Sequence, residues 1–124
     1  MEAQEELETP IGNKEPETLK AEKVKVVDIK IEPVGEKKMD KVVFTCKHPA
    51  REENITISKV KYVRNDKIQV SGSWFTLDED KKLQKGSAVV KLLNFYAVNI
   101  LVDLIGKELE TDVDSEGYLC LKAY

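Results

Sequence analysis

Apolar and polar positions alternate along most of this chain with the two-residue period of half-buried strands, and one stretch changes to helical spacing. Val24, Val26, Val27, Ile29 and Ile31 form the first apolar series. Its phase shifts at Val27, which predicts a strand with a bulge or bend there, ended by Pro33 and Gly35. A charged turn over residues 36–41 leads to a second strand, Val42-Val43-Phe44-Thr45-Cys46, closed by His48-Pro49, and residues 50–53 make the next loop. The clearest hairpin signal is Arg64-Asn65-Asp66-Lys67, because Asn and Asp tolerate the left-handed backbone of a tight two-residue turn. With strands on either side, that turn sets Val63 opposite Ile68, Lys61 opposite Val70 and Ile57 opposite Trp74. Ile55, Ile57, Val63, Ile68, Val70 and Trp74 then share the expected core face. Thr56, Ser58, Val60, Tyr62, Gln69, Ser71, Ser73, Phe75 and Leu77 share the other, a polar ground carrying two aromatic rings. Gly72 permits the second strand to bend.

After a loop over residues 78–82, Ser87 is placed to cap a helix over residues 88–96, with Val89, Leu92, Leu93 and Tyr96 at helical spacing. Asn99 is expected to cap one further turn through Leu104, which Gly106 terminates. Residues 107–113, the turn Asp114-Ser115-Glu116-Gly117 and residues 118–124 read as a last hairpin. The predicted order is four strands, a helix and two strands. The 124 residues suit one hydrophobic core, at 41% hydrophobic and 35% charged residues.

Charge divides the chain unevenly. Residues 1–22 hold seven Glu against two Lys, together with Pro10, Gly12 and Pro16, and read as a disordered acidic tail ahead of a single domain at 23–124. The tail serves as a solubilising leader or as an acidic arm that shields a basic face. The net charge of -3 hides a domain of net +2, whose positive excess lies in residues 23–67, with 12 Lys plus Arg against seven Asp plus Glu. Abundant Lys and Glu beside three Gln is a balance found in heat-adapted proteins. No basic start followed by an apolar run marks a signal peptide, and no stretch is long and apolar enough to span a membrane, so a cytoplasmic protein is expected. Cys46 and Cys120 alternate with apolar neighbours and read as buried thiols rather than a disulfide.

Catalytic signals are absent: the single His48 sits in a loop, with no nucleophile motif in view. Cys46, His48 and Cys120 fall short of the four closely spaced ligands of a structural zinc site, so His48 reads as an exposed loop histidine. Asp112-Val113-Asp114-Ser115-Glu116-Gly117 opens like a calcium loop, but Ala123 stands where the bidentate Glu belongs. Asp78-Glu79-Asp80 reads as a solvated turn, and Lys85-Gly86-Ser87 lacks the upstream glycine of a phosphate loop. No metal and no cofactor is implied. What remains is Lys47, Arg51, Lys59, Lys61, Arg64 and Lys67 around Phe44, Tyr62 and Phe75. Cations that track phosphates beside rings that stack on bases hold single strands in this way. Lysines along a sheet edge also simply discourage edge-to-edge pairing.

Ser87-Ala88-Val89-Val90-Lys91-Leu92-Leu93, then Leu104-Ile105-Gly106-Lys107-Glu108-Leu109 and Gly117-Tyr118-Leu119, resemble the end of small OB-like DNA-binding proteins of phages and archaea. The resemblance implies an OB-like barrel of five to six strands, with one α-helix between its third and fourth strands plugging one end. It also implies a ligand over the second and third barrel strands, nearest Tyr62, Phe75, Lys59 and Lys61. That conflicts with the hairpin register, which turns Lys59 and Lys61 toward the core. The function expected is non-catalytic binding of single-stranded nucleic acid by Lys47, Arg51, Lys59, Lys61, Tyr62, Arg64, Lys67 and Phe75. The alternative is a protein-interaction module that uses a sheet edge or the Tyr62 and Phe75 patch, or a small structural or regulatory protein that binds no nucleic acid.

Overall fold

The structure is a computed structural model that describes residues 19–36 and 39–124. The expected acidic tail lies outside the described residues up to position 18. Strand β1 (Val24–Val34) pairs antiparallel with β2 (Met39–Lys47). Val24 and Val26 face the core, and the ladder slips between Val26 and Asp28 so that Ile29 comes opposite Phe44. The slip is the bulge expected at Val27: one extra residue changes the phase and bends the strand. Pro33 lies inside β1, opposite Asp40, instead of ending it, and Gly35 turns the chain at φ +78°.

β3 (Ile55–Ile57) pairs with β2, Ile57 opposite Phe44. After Ser58 alone comes β4 (Lys59–Arg64), and β5 (Lys67–Gly72) folds back on it. Asn65 and Asp66 hold φ of 51° and 62°, the tight turn read from the sequence, and Val63–Ile68 and Lys61–Val70 pair as expected. On β4 and β5, however, the expected faces are reversed, although Ile55 and Ile57 do pack in the core. Ile57 is 3% exposed, and the next inward side chains are Val60 at 0% and Tyr62 at 5%, three residues on instead of two. The chain turns a corner at Ser58, and that single change of phase sends Lys59, Lys61 and Val63 outward. Val63, Ile68 and Val70, expected in the core, are exposed.

Trp74 does not meet Ile57. The β4–β5 ladder ends at Lys59–Gly72, with one more bond from Ser73 N to Ser58 O (3.0 Å), and the chain then crosses to β2. There Val42 N donates to Ser73 O, Phe75 N donates to Asp40 O, and Trp74 bridges to Lys41. Glycine suits the bend, since a Cβ on Gly72 would sit 2.9 Å from the Trp74 indole nitrogen and the ring would have to shift.

Helix α1 (Ala88–Phe95) starts where Ser87 accepts a hydrogen bond from Val90 N, and it buries Ala88, Val89, Leu92 and Leu93 against β4 and β8 (Leu119–Ala123). Tyr96 closes the helix rather than belonging to it. A 3-10 turn over Leu101–Leu104 follows, with Ile100 rather than Asn99 in the cap position and no side-chain bond there. Gly106 (φ +89°) then donates to Val26 O as the chain enters β6 (Glu108–Leu109), which pairs with β1. β7 (Thr111–Val113) follows after Glu110 alone; β8 runs antiparallel to β7 and parallel to β4, with Val60 opposite Leu121.

The described residues are thus mostly β, with one α-helix among them. The strands order as β3-β2-β1-β6 and β5-β4-β8-β7, joined through the one-residue corners at Ser58 and Glu110. The core lies between them, around the fully buried Phe44, Leu92, Leu104, Leu109 and Leu121. The reversed faces make a direct test. Tyr62→Ala should lower unfolding free energy by about 3–5 kcal/mol, the usual cost of emptying a buried aromatic site, whereas Val63→Ala should cost under about 1 kcal/mol, as exposed substitutions do. Urea unfolding of both variants measures the contrast.

Candidate nucleic-acid interface

The residues singled out in the sequence do not meet on one face. Phe44 is wholly buried, Tyr62 nearly so, and Phe75 is half-buried against the edge of the core. The two rings expected to stand outward therefore do not form a stacking platform. Arg64 lies with its guanidinium 5.6 Å from the Tyr62 ring and donates to Gly86 O. Lys67 is exposed at the far side of the hairpin turn. Lys47 ends β2, exposed and directly opposite Lys25 in β1. Arg51 is half-buried, and its amide donates to His48 O.

Lys59 and Lys61 project outward from β4, against the register argument, but each already faces a carboxylate. Lys59 Nζ is 3.1 Å from Asp114 Oδ2, and Lys61 Nζ is 3.2 Å from Asp112 Oδ2 while donating to Val113 O at 2.8 Å. The C-terminal hairpin fixes these acids. The other Asp114 oxygen accepts from Glu116 N and Tyr118 N, which ties the turn, and Asp112 Oδ1 accepts from Val113 N. Asp112 Oδ2 also accepts from the Tyr124 hydroxyl, and this bond, ahead of the Val113 amide and Lys61, pulls the carboxyl down to about 2. The same bond pushes the Tyr124 phenol up to about 12. The hydrogen bond from Tyr118 N is the main force lowering Asp114, and Asp114 in turn raises Lys59. These oxygens are engaged by the hairpin and the lysines.

His48 corrects another expectation. Read as an exposed loop residue, it is fully buried: Nδ1 accepts from Ala50 N (3.0 Å), so the proton sits on Nε2, which donates to Lys20 O (2.8 Å). Thr111 Oγ1 likewise donates to Glu22 O (2.6 Å). The Lys20 and Glu22 carbonyls are therefore tied to His48 and Thr111. Cys46 and Cys120 are free and buried, as expected, and burial raises the Cys46 thiol to about 12.

One feature of this surface escaped the sequence reading. Tyr118 directly follows the hairpin turn, is 59% exposed and lies 5.6 Å from Lys59 Nζ. It borders a groove of about 410 Å³ lined by residues 55–59 and 117–119, with Leu19 at its rim. The available signal was its place two residues before the buried Cys120, immediately after Gly117. No family model, curated protein or solved structure matches the chain.

Two measurements check this chemistry. Asp112 is depressed below its unfolded value, so its stabilising contribution is complete above about pH 4 and lost as pH falls toward about 2. Asp112→Asn should therefore flatten the loss of stability across that window, read from unfolding midpoints at stepped pH. A thiol reagent at pH 8 should leave both cysteines unlabelled in the native protein and label both in denaturant, as mass spectrometry would count.

Proposed function

We propose that the chain is an OB-type barrel that binds single-stranded nucleic acid without catalysis, along the groove beside Tyr118. The fold part of this reading is supported by the order of the ladders. β1 pairs with β2, β2 with β3, β4 runs on from β3 and lies parallel to β8, β8 pairs with β7, and β6, which runs on into β7, pairs with β1. An OB barrel closes in that cyclic order, with the helix between its third and fourth strands. Fold alone carries no activity. The functional part rests on one observation, the exposed Tyr118 ring with Lys59 over it at the mouth of an open groove.

A flat ring at the surface gives an unstacked base a sequence-tolerant seat, and a cation beside it answers the phosphate. The roles expected in the sequence shift accordingly. Tyr118 takes the stacking role given to Tyr62 and Phe75, Lys59 remains beside it, and Lys47 follows along the β2 end of the sheet. Lys61, Arg64, Lys67 and Arg51 become outlying contacts. No helix among the described residues is long and apolar enough to cross a membrane, and no lipid partner enters the reading.

Fluorescence anisotropy with labelled oligonucleotide at two salt concentrations tests it. Affinity should fall steeply as salt rises, because bound phosphates release counterions. Tyr118→Ala should weaken binding about tenfold, the scale of one lost base stack, with the unfolding midpoint unchanged. No binding at low salt, or binding indifferent to Tyr118, overturns the proposal.

A further inference from the structure

Strand β5 ends its sheet. One side bonds to β4, and no described residue pairs with the other. The tight turn makes Arg64 and Lys67 a bonded pair, and bonding then alternates along the ladder. Ser73 N donating to Ser58 O, on the same register, confirms the parity. Lys67, Gln69 and Ser71 therefore turn their backbone groups toward β4, while Ile68, Val70 and Gly72 aim theirs at the open side.

Exposed edges ordinarily carry charges, prolines or bulges that forbid pairing. The free length of β1 follows that rule with Asp28, Lys30, Glu32 and Pro33. β5 does not: from Ile68 to Gly72 it has no charge, no proline and no bulge, and Ile68 and Val70 are 55% and 40% exposed on its outer face. We infer that this edge joins a second copy of the chain, β5 against β5 in antiparallel register about Gln69.

The sequence is self-complementary in that register. Ile68 of each copy lies opposite Val70 of the other, so the two apolar pairs sit on one face, and the four bonds between them use the open donors and acceptors. Gln69 faces its own copy with amide against amide. Lys67 faces Ser71, which holds the two lysines about 13 Å apart along the strand, beyond the screening length of about 8 Å at physiological salt. A foreign peptide would need the same apolar alternation, which this strand already supplies to itself. The seam is short, roughly 1,000 Å² or less in total, below the range of stable interfaces and in that of weak ones, so association is weak and concentration-dependent. The inference does not rest on nucleic-acid binding.

Sedimentation equilibrium of the full chain from micromolar to near-millimolar concentration should show a monomer–dimer equilibrium. Val70→Lys should weaken it at least tenfold with the thermal midpoint unchanged. Gln69→Cys places two thiols at a non-bonded cross-strand pair, the close one, and should form an interchain disulfide under mild oxidant, while Lys67→Cys should not. A wild-type monomer throughout, leaving the edge to a foreign strand, overturns the inference. So does a dimer indifferent to Val70→Lys, or equal cross-linking at both cysteine positions.

Discussion

The corner at Ser58 governs this molecule. Strand alternation carried straight on from Ile57 would point Lys59, Lys61 and Val63 inward, and burying two ammonium groups without partners is far costlier than bending a strand. The extra residue instead turns Val60 and Tyr62 inward and lets one run of chain serve two sheets, β3 beside β2 and β4 beside β8. The seat of the helix follows, since α1 packs on β4 and β8. So does the outward row of lysines that meets Asp112 and Asp114.

The second corner, at Glu110, is secured differently. Where β6 gives way to β7, the Glu110 amide would lack a strand partner, and the Tyr96 hydroxyl supplies one. It accepts from Glu110 N at 2.8 Å and donates to Lys122 O at 2.9 Å, while burial raises its phenol above the ordinary value. Backbone donors at a strand break need partners as much as those inside a ladder. The residue that closes the helix thereby also holds the C-terminal hairpin, so helix and corner are stabilised together.

The sequence made the local devices legible. The bulge at Val27, the Asn65-Asp66 turn with its register and the Ser87 cap each depend on residues within a few positions of one another. The faces of β4 and β5 were not legible, because both alternation phases carry apolar side chains: Val60 with Tyr62, and Val63 with Ile68 and Val70. Only the corner chooses between them, and Ser58 has no special signature. Long-range pairing was hidden for the same reason. Lys59 and Asp114 lie 55 positions apart, so the acids of the last turn were weighed as metal ligands and the lysines as phosphate contacts, although each neutralises the other. His48 was misjudged because its partner, Lys20 O, belongs to a segment that composition assigned to the tail.

That mutual neutralisation bears on what the surface can hold. The Lys59–Asp114 pair is partly buried, with the Asp114 side chain 9% exposed, so on the proposed reading a phosphate that displaced Asp114 would gain only the difference between two anions. On that proposal, affinity for a polyanion comes mainly from ring stacking and from several weak cations along the groove acting together. Asp114 meanwhile holds the ammonium over Tyr118, which lowers the side-chain entropy that a ligand would otherwise have to remove. Within the proposed function, a preorganised but partly neutralised cation beside an open ring suits sequence-tolerant, readily reversible contact with a flexible strand better than tight capture of an isolated phosphate.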